Sequence, residues 1–441
     1  MTPAANSTAI PAEELAQRIA AGRYDAAFAR LYPRAPAADC RARYTDALAG
    51  FVQQYGNRPV VLISAPGRTE IGGNHTDHQQ GRVLAAAVDL DVLCVAAANA
   101  DNTLRLCAAG YPPCAVALCP QDDAAKPRQA EQGKPAGILR GMAAWLADNG
   151  YVLGGADMLT DSRVPVGSGL SSSAAFEVAV GQVLRALYAP ALTPVAIAYA
   201  GQHAERHYWN KPSGLMDQMA SALGGFSYID FADAQAPQVR PVALSPADSG
   251  MQLCVVDTRS SHANLTEDYA AIPREMGAVA QFFGAQVLRA VDEAAFHAQI
   301  AAVRAACGDR AVLRALHFFA ENARVAAQAQ ALEQARATDF WELVIQSGRS
   351  SLACLQNIYA PAHPCQQGLT LALALSEELL RGSGAWRVHG GGFAGTILAF
   401  VPREKADAYR DRMETVFGAG ACHMLAVRAD GGTLVTEEMR D

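Results

Sequence analysis

Pro165-Val166-Gly167-Ser168-Gly169-Leu170-Ser171-Ser172-Ser173-Ala174-Ala175 is the stretch that decides how this chain is read. A glycine-serine turn feeds straight into a segment whose first turn is all small residues, and the apolar spacing beyond it marks a long helix to Tyr188. The first N–H groups of a helix have no intrahelical partner, and the positive end of the dipole lies there too. The segment therefore reads as a cradle for an anion, with serine hydroxyls as added donors. One such hydroxyl is a fit ligand for Mg²⁺ beside a triphosphate. A capped helix with a flexible lead-in is the competing reading. Neither the P-loop spacing nor the dinucleotide fingerprint is present: G-x-x-x-x-G-K-[ST] is absent, and the third glycine of the fingerprint is missing.

Two further glycine-rich stretches flank this one in the sequence. Pro66-Gly67-Arg68-Thr69-Glu70-Ile71-Gly72-Gly73-Asn74-His75-Thr76-Asp77-His78 interleaves charged and polar residues with glycines between two strands. Glycine lets the backbone fold tightly, so a ligand site outranks a plain polar loop. A metal set of His75, Asp77 and His78 is the weaker reading, because no fourth ligand at a recognisable spacing accompanies them. His389-Gly390-Gly391-Gly392-Phe393-Ala394-Gly395-Thr396 precedes a strand. It mimics the oxyanion element of lipases, yet the chain has no G-x-S-x-G elbow, so a second backbone pocket facing the first is expected. His203 and His207 share a helix face as in zinc proteases, but Glu205 points the other way, which disfavours zinc and leaves Glu205 free to face the cradle and supply a carboxylate to Mg²⁺. Asp217, in Gly214-Leu215-Met216-Asp217-Gln218-Met219, is an acid in an apolar segment and calls for a partner, for which Arg68 is the candidate.

Outward from these motifs, short strands are expected at 59–65 and 226–231 and strand pairs over 83–98. Helices are expected through most of the first 50 residues, at 138–149, from Thr193-Pro194 to about Trp209, and through much of 265–380. A strand at 396–401, a helix at 403–416 and a strand at 423–427 close the pattern, which is α+β because no regular βαβ rhythm runs through it. Gly224-Gly225 suggests a boundary, giving domains 1–225 and 226–441. Of 441 residues, 51% are hydrophobic and 18% charged, enough for full-sized cores. A net charge of −7 argues against a nucleic-acid partner, so any anionic ligand must be met by placed dipoles and a few cations. The apolar run 83–98 carries Asp89 and Asp91 and is too short for a membrane span, and the start of the chain lacks a secretion-signal pattern. Ten scattered cysteines without a C-x-x-C pair read as core residues, and the cytoplasm is the expected compartment.

G-R-x-x-x-x-x-x-H-T-D, P-x-G-S-G-L-S-S-S-A-A, G-L-M-D-Q and G-G-G-F-x-G, in this order over residues 59–401, resemble the galactokinase family of the GHMP sugar and small-molecule kinases. The resemblance implies two α+β domains with the active site in the cleft between them, and γ-phosphoryl transfer from ATP to the anomeric hydroxyl of galactose. It implies Asp217 and Arg68 as catalytic residues and Asn74, His75, Asp77, Gly214 and Tyr269 as sugar-binding residues. Gly167, Ser168, Gly169, Leu170, Ser171, Ser172, Ser173 and Ala174 would bind nucleotide, with Ser172 and Glu205 on Mg²⁺. A monomer acting on ATP and a small sugar, with no membrane or nucleic-acid partner, is the corresponding expectation. Asn74 stands where the family has a glutamate for the sugar's C6 end, so a kinase for galacturonate, N-acetylgalactosamine or arabinose is the alternative. Ala394 also replaces a usual glycine. A non-catalytic galactose and ATP sensor is disfavoured by the intact run Ser171 to Ala175.

Overall fold

The computed structural model describes residues 9–118, 126–165, 167–211, 213–233, 236–242, 250–260 and 265–439. Strands β1 (Ile10–Pro11), β2 (Pro59–Gly72), β3 (Arg82–Asn99), β4 (Thr103–Ala108), β5 (Cys114–Ala117), β6 (Gly155–Ser162), β7 (Phe226–Asp230) and β8 (Gln238–Val242) belong to one sheet. Its main order is β1-β2-β3-β6-β4-β5, antiparallel except for the β4–β6 pair. Strands β9 (Met251–Asp257), β10 (Ala385–Val388), β11 (Thr396–Pro402) and β12 (Cys422–Leu425) form a second, antiparallel sheet in the order β10-β11-β9-β12. A last short strand, β13 (Thr433–Leu434), returns to β2.

Alternation explains why the first sheet is covered on both sides. Val61, Ile63 and Ala65 of β2 join the core under helices Pro135–Asp148, Ser172–Leu187 and Pro194–Tyr208, whereas Val60 and Leu62 face the N-terminal helices Ala12–Ala20, Asp25–Leu31 and Ala37–Tyr55. The second sheet behaves likewise: Leu253 and Val255 join the large core, while Cys254 and Val256 pack with helices Gly368–Leu380 and Ala406–Phe417. Among the described residues, no helix is long and apolar enough to cross a membrane.

Residues 83–98, expected as strand pairs, lie in the single 18-residue strand β3. No glycine or proline interrupts them, and the two acids they carry, Asp89 and Asp91, are paired within the fold. Arg43 and Tyr32 both hydrogen-bond Asp91 at 2.6 Å, and Arg34 reaches Asp89 at 2.7 Å. Strand β2 also extends past 65 through Arg68 and Glu70 to Gly72, with register shifts at Pro66/Arg68 and Glu70/Gly72. The expected division after residue 225 falls inside the first sheet, because β7 pairs with β3 at Arg82–Ala86. Gly224-Gly225 is a close approach to the tail, where Gly225 N donates to Arg428 O at 2.8 Å.

Candidate active site

Strand β2, the helices Ser172–Leu187 and Met216–Leu223, and the β10–β11 loop converge at one cleft. Arg68, 5% exposed on β2, directs Nε and Nη2 to Asp217 Oδ1 at 2.8 Å. Its Nη1 donates to Gly169 O at 2.5 Å, and its backbone N donates to Leu170 O at 3.1 Å. Ser171 Oγ donates to the other Asp217 oxygen at 2.5 Å. Burial pushes the Asp217 carboxyl up, but the Arg68 charge and the hydrogen bonds from Arg68 and Ser171 outweigh it and hold the group at about 2. The guanidinium-carboxylate couple therefore stands directly at the serine-lined helix start.

That helix start is open. Ser171 takes a left-handed conformation, φ 56, and no side chain caps the helix that follows. Gly167 and Gly169 also have positive φ, 79 and 73, and a side chain on Gly169 would lie 2.6 Å from Thr396 Oγ1 and 2.9 Å from His389 Nδ1. The glycine is thus required by the closeness of the β10–β11 loop. Not every residue of the run turns towards the cleft. Ser168 Oγ donates to Pro165 O at 2.8 Å, and the Leu170 and Ala174 side chains are buried, so these residues shape the turn by packing. The hydroxyl that meets Glu205 belongs to Ser173, at 2.7 Å, and not to Ser172, because one residue along a helix rotates the side chain by about 100°. Glu205, 1% exposed, also accepts from Lys211 Nζ at 2.6 Å and from Gln218 Nε2 at 3.2 Å.

On the other side of the couple, the 73–78 loop is locked from the second half of the chain. Asn74 is fully buried and does not face the cleft, contrary to its expected sugar contact. Its Nδ2 donates to Glu70 at 3.0 Å and to Gly390 O at 2.6 Å, and its Oδ1 accepts from Asn357 at 2.8 Å. An amide satisfies both acceptors and a donor here, where a carboxylate would oppose Glu70. His75 is partly buried and donates from Nε2 to Gly391 O at 3.0 Å. Burial and neighbouring His78 push its pKa down to about 3, so the imidazole is neutral with Nδ1 as its acceptor. Asp77 lies against Gly214, where any side chain would collide with the Asp77 carboxylate. Tyr269 OH donates to Gly392 O at 2.9 Å, placing the ring beside the third glycine stretch. His75, Asp77 and His78 do not form a metal set: among the described residues no group of three or more His, Cys, Asp or Glu is arranged to hold a metal ion.

Several residues of the site carry no local signal in the sequence. Arg387 and Glu70 form a buried pair at 2.6 Å beside the 73–78 loop. His389 Nε2 accepts from Glu70 N at 3.2 Å, so Nδ1 carries the proton and donates to Thr396 Oγ1 at 2.9 Å; burial and the Arg68 charge keep the ring neutral. On helix Asp309–Glu333, Glu321 accepts from Gly73 N at 2.9 Å and His317 meets Asn74 O at 2.9 Å. Each partner lies more than 240 residues away in the chain, a spacing no motif encodes.

Residues 138–225 match the GHMP kinases N terminal domain, and residues 49–98 match the galactokinase galactose-binding signature. With these matches and this fold, the chain is similar to the GHMP kinase superfamily. Within it, the chain is a homologue of galactokinases: it is 29% identical to the galactokinase of Actinobacillus pleuropneumoniae serotype 3 (strain JL03) over 392 residues, 87% of this chain and 97% of that protein. The galactokinase of Lactococcus lactis, solved with galactose, has the same fold at a TM-score of 0.75 and 23% identity, covering 87% of this chain and 98% of that one. The mevalonate kinase of Methanococcus jannaschii shares it more distantly, with a TM-score of 0.59 and 14% identity over 85% of this chain and 99% of that one.

Proposed function

We propose that this chain is an ATP-dependent sugar 1-kinase that phosphorylates galactose to galactose 1-phosphate. The observation that carries the reading is Asp217, ionised between Arg68 and Ser171 at the mouth of an uncapped helix start. Phosphoryl transfer needs positioning and charge stabilisation more than covalent help, and these residues offer both. The open N–H groups at Ser172, Ser173 and Ala174, with the Gly167–Gly169 turn, hold the nucleotide's phosphates. The anomeric oxygen attacks the γ-phosphorus, its new O–P bond forming as the β–γ bridging bond breaks and ADP leaves. A carboxylate held at about 2 is a poor proton acceptor at neutral pH, so Asp217 orients the attacking hydroxyl, whose proton passes to an oxygen of the transferred phosphoryl group as the O–P bond forms. Arg68 keeps Asp217 ionised and offsets charge on the transferring group. His75 Nδ1, Asp77, the Gly214 backbone and Tyr269 line the sugar's place.

The donor set suits Mg²⁺, a hard cation that takes one or two carboxylates plus substrate phosphates. Glu205 is a buried carboxylate already holding a cation, the Lys211 ammonium, with the Ser173 hydroxyl on the same oxygen. Glu205 and Ser173 would hold the ion, which supplies charge neutralisation of the β- and γ-phosphates. The nine cysteines among the described residues are free thiols, which supports a protein working in the reducing cytoplasm.

Asn74 favours a second substrate reading. Its amide is fully engaged by Glu70, Gly390 and Asn357 and offers no charged acceptor to a C6 hydroxyl. Galacturonate, N-acetylgalactosamine and arabinose are therefore competing substrates. A coupled ADP-release screen with Mg·ATP over these sugars and galactose decides between them. Galactose is expected to have the highest kcat/KM; a higher value for another sugar replaces it, and no turnover on any sugar sinks the kinase reading.

A further inference from the structure

We propose that Lys211 is a further residue of the transfer site, a mobile cation that neutralises Glu205 while no divalent ion is bound and moves to a terminal phosphate oxygen of the nucleotide when one is. This rests on the sugar-kinase reading above. The Lys211 ammonium lies 2.6 Å from Glu205 Oε1 and 3.4 Å from Ser173 Oγ. Glu205 is only 1% exposed, and its second oxygen accepts from Gln218 Nε2, which also donates to Glu177 Oε2 at 2.9 Å. Glu177 is fully buried behind this amide and its Oε1 has no partner among the described residues. The buried Glu205 carboxylate needs a cation, and Lys211 is the one paired with it among the described residues.

The lysine is built to leave. Its backbone is anchored, since Lys211 N donates to Glu205 O at 3.0 Å and Lys211 O accepts from Ser213 N at 2.8 Å. Its side chain is 48% exposed, so the flexible four-carbon stem carries the ammonium at the mouth of the pocket. An ammonium and a divalent cation cannot share Glu205 Oε1, because they repel each other at such short range. Displaced from that oxygen, the ammonium remains tethered over the first turn of helix Ser172–Leu187, within reach of the phosphates that turn would bind. An arginine there would hold the carboxylate in a bidentate clamp and exchange less readily.

The test uses the whole chain as wild type, Lys211→Met and Lys211→Arg, with circular dichroism to check folding. Mn²⁺ binding to the nucleotide-free proteins is followed by electron paramagnetic resonance, and ADP binding with and without Mn²⁺ by calorimetry. Loss of the competing ammonium is expected to tighten Mn²⁺ binding to Lys211→Met by about tenfold, and to weaken metal-free ADP by about tenfold, the scale of one charge-assisted hydrogen bond. Lys211→Arg is expected to bind Mn²⁺ no more tightly than wild type. Normal Mn·ADP binding with Mn²⁺ affinity unchanged or lowered in Lys211→Met overturns the role of Lys211 and leaves the kinase reading standing. Failure of the wild type to bind Mn·ADP overturns both.

Discussion

Two helices that wall the cleft begin in opposite ways. Helix Pro194–Tyr208 starts with Thr193, whose hydroxyl accepts from Ala196 N at 3.1 Å, and with proline in its first turn. Helix Ser172–Leu187 starts at Ser171, which is left-handed and turns its hydroxyl away to Asp217. The first helix satisfies its own orphan donors and serves as a rigid post for Glu205 at its far end. The second leaves its donors open and lends its cap residue to the catalytic couple. The Thr193 cap serves the stability of its helix alone, whereas the open donors after Ser171 lie where the proposed phosphates would bind.

Four substitutions test the difference between the two helix starts. The largest effect is expected from Asp217→Asn, which removes the charge that holds both Arg68 and Ser171. Turnover should fall by ~10²-fold or more while ATP binding, measured by calorimetry, survives. Loss of ATP affinity on the same scale would mean that the open helix start depends on Asp217 for its shape.

Gly169→Ala comes next. It forces a side chain into a position with φ 73 that lies 2.6 Å from Thr396 Oγ1, and the strain should lower stability by ~1–3 kcal/mol in urea unfolding. ATP affinity should fall with it, since the turn carries the cradle. A variant with unaltered stability would show that the loop and cradle are less tightly matched than the distances indicate.

Arg68→Met tests the electrostatics through pH. In the folded protein Asp217 is held at about 2, below its ordinary value of 3.8, so it contributes stability above pH 3.8 that fades as pH falls towards 2. Without Arg68, burial is less opposed and the folded value rises. The acid limb of residual kcat/KM should then move up by about one pH unit or more in rate profiles, while the acid-side loss of stability in melting curves shrinks. An acid limb that stays in place would assign the low value to Ser171 instead. Thr193→Ala, the smallest change, should cost ~1 kcal/mol of stability and leave kcat untouched, because its cap serves the post and not the chemistry.

Much of this architecture is legible in local pattern. The Thr193 cap, the helix after Ser171 and the alternation of Val60 to Ile63 follow from chemistry within a few residues, so the sequence read alone places them. The pairing of Arg68 with Asp217 was also inferred, since a lone acid in an apolar segment requires a cation. What the motif match leaves open is which way each side chain points. Asn74 stands in a sugar-binding pattern yet is consumed by Glu70, Gly390 and Asn357, and the hydroxyl beside Glu205 is that of Ser173, whereas the motif singles out Ser172.

Helix starts, alternation and uncompensated charge act over short distances along the chain, so the classes of element, the open helix start after Ser171 and the need of Asp217 for a cation are legible without coordinates. Long-range packing is what pairs Glu70 with Arg387, sets Glu321 and His317 against the 73–78 loop, and brings Lys211 and Ser173 to Glu205. Those outcomes depend on where packing brings distant segments together, and burial then makes each polar group take whichever partner lies within hydrogen-bond reach.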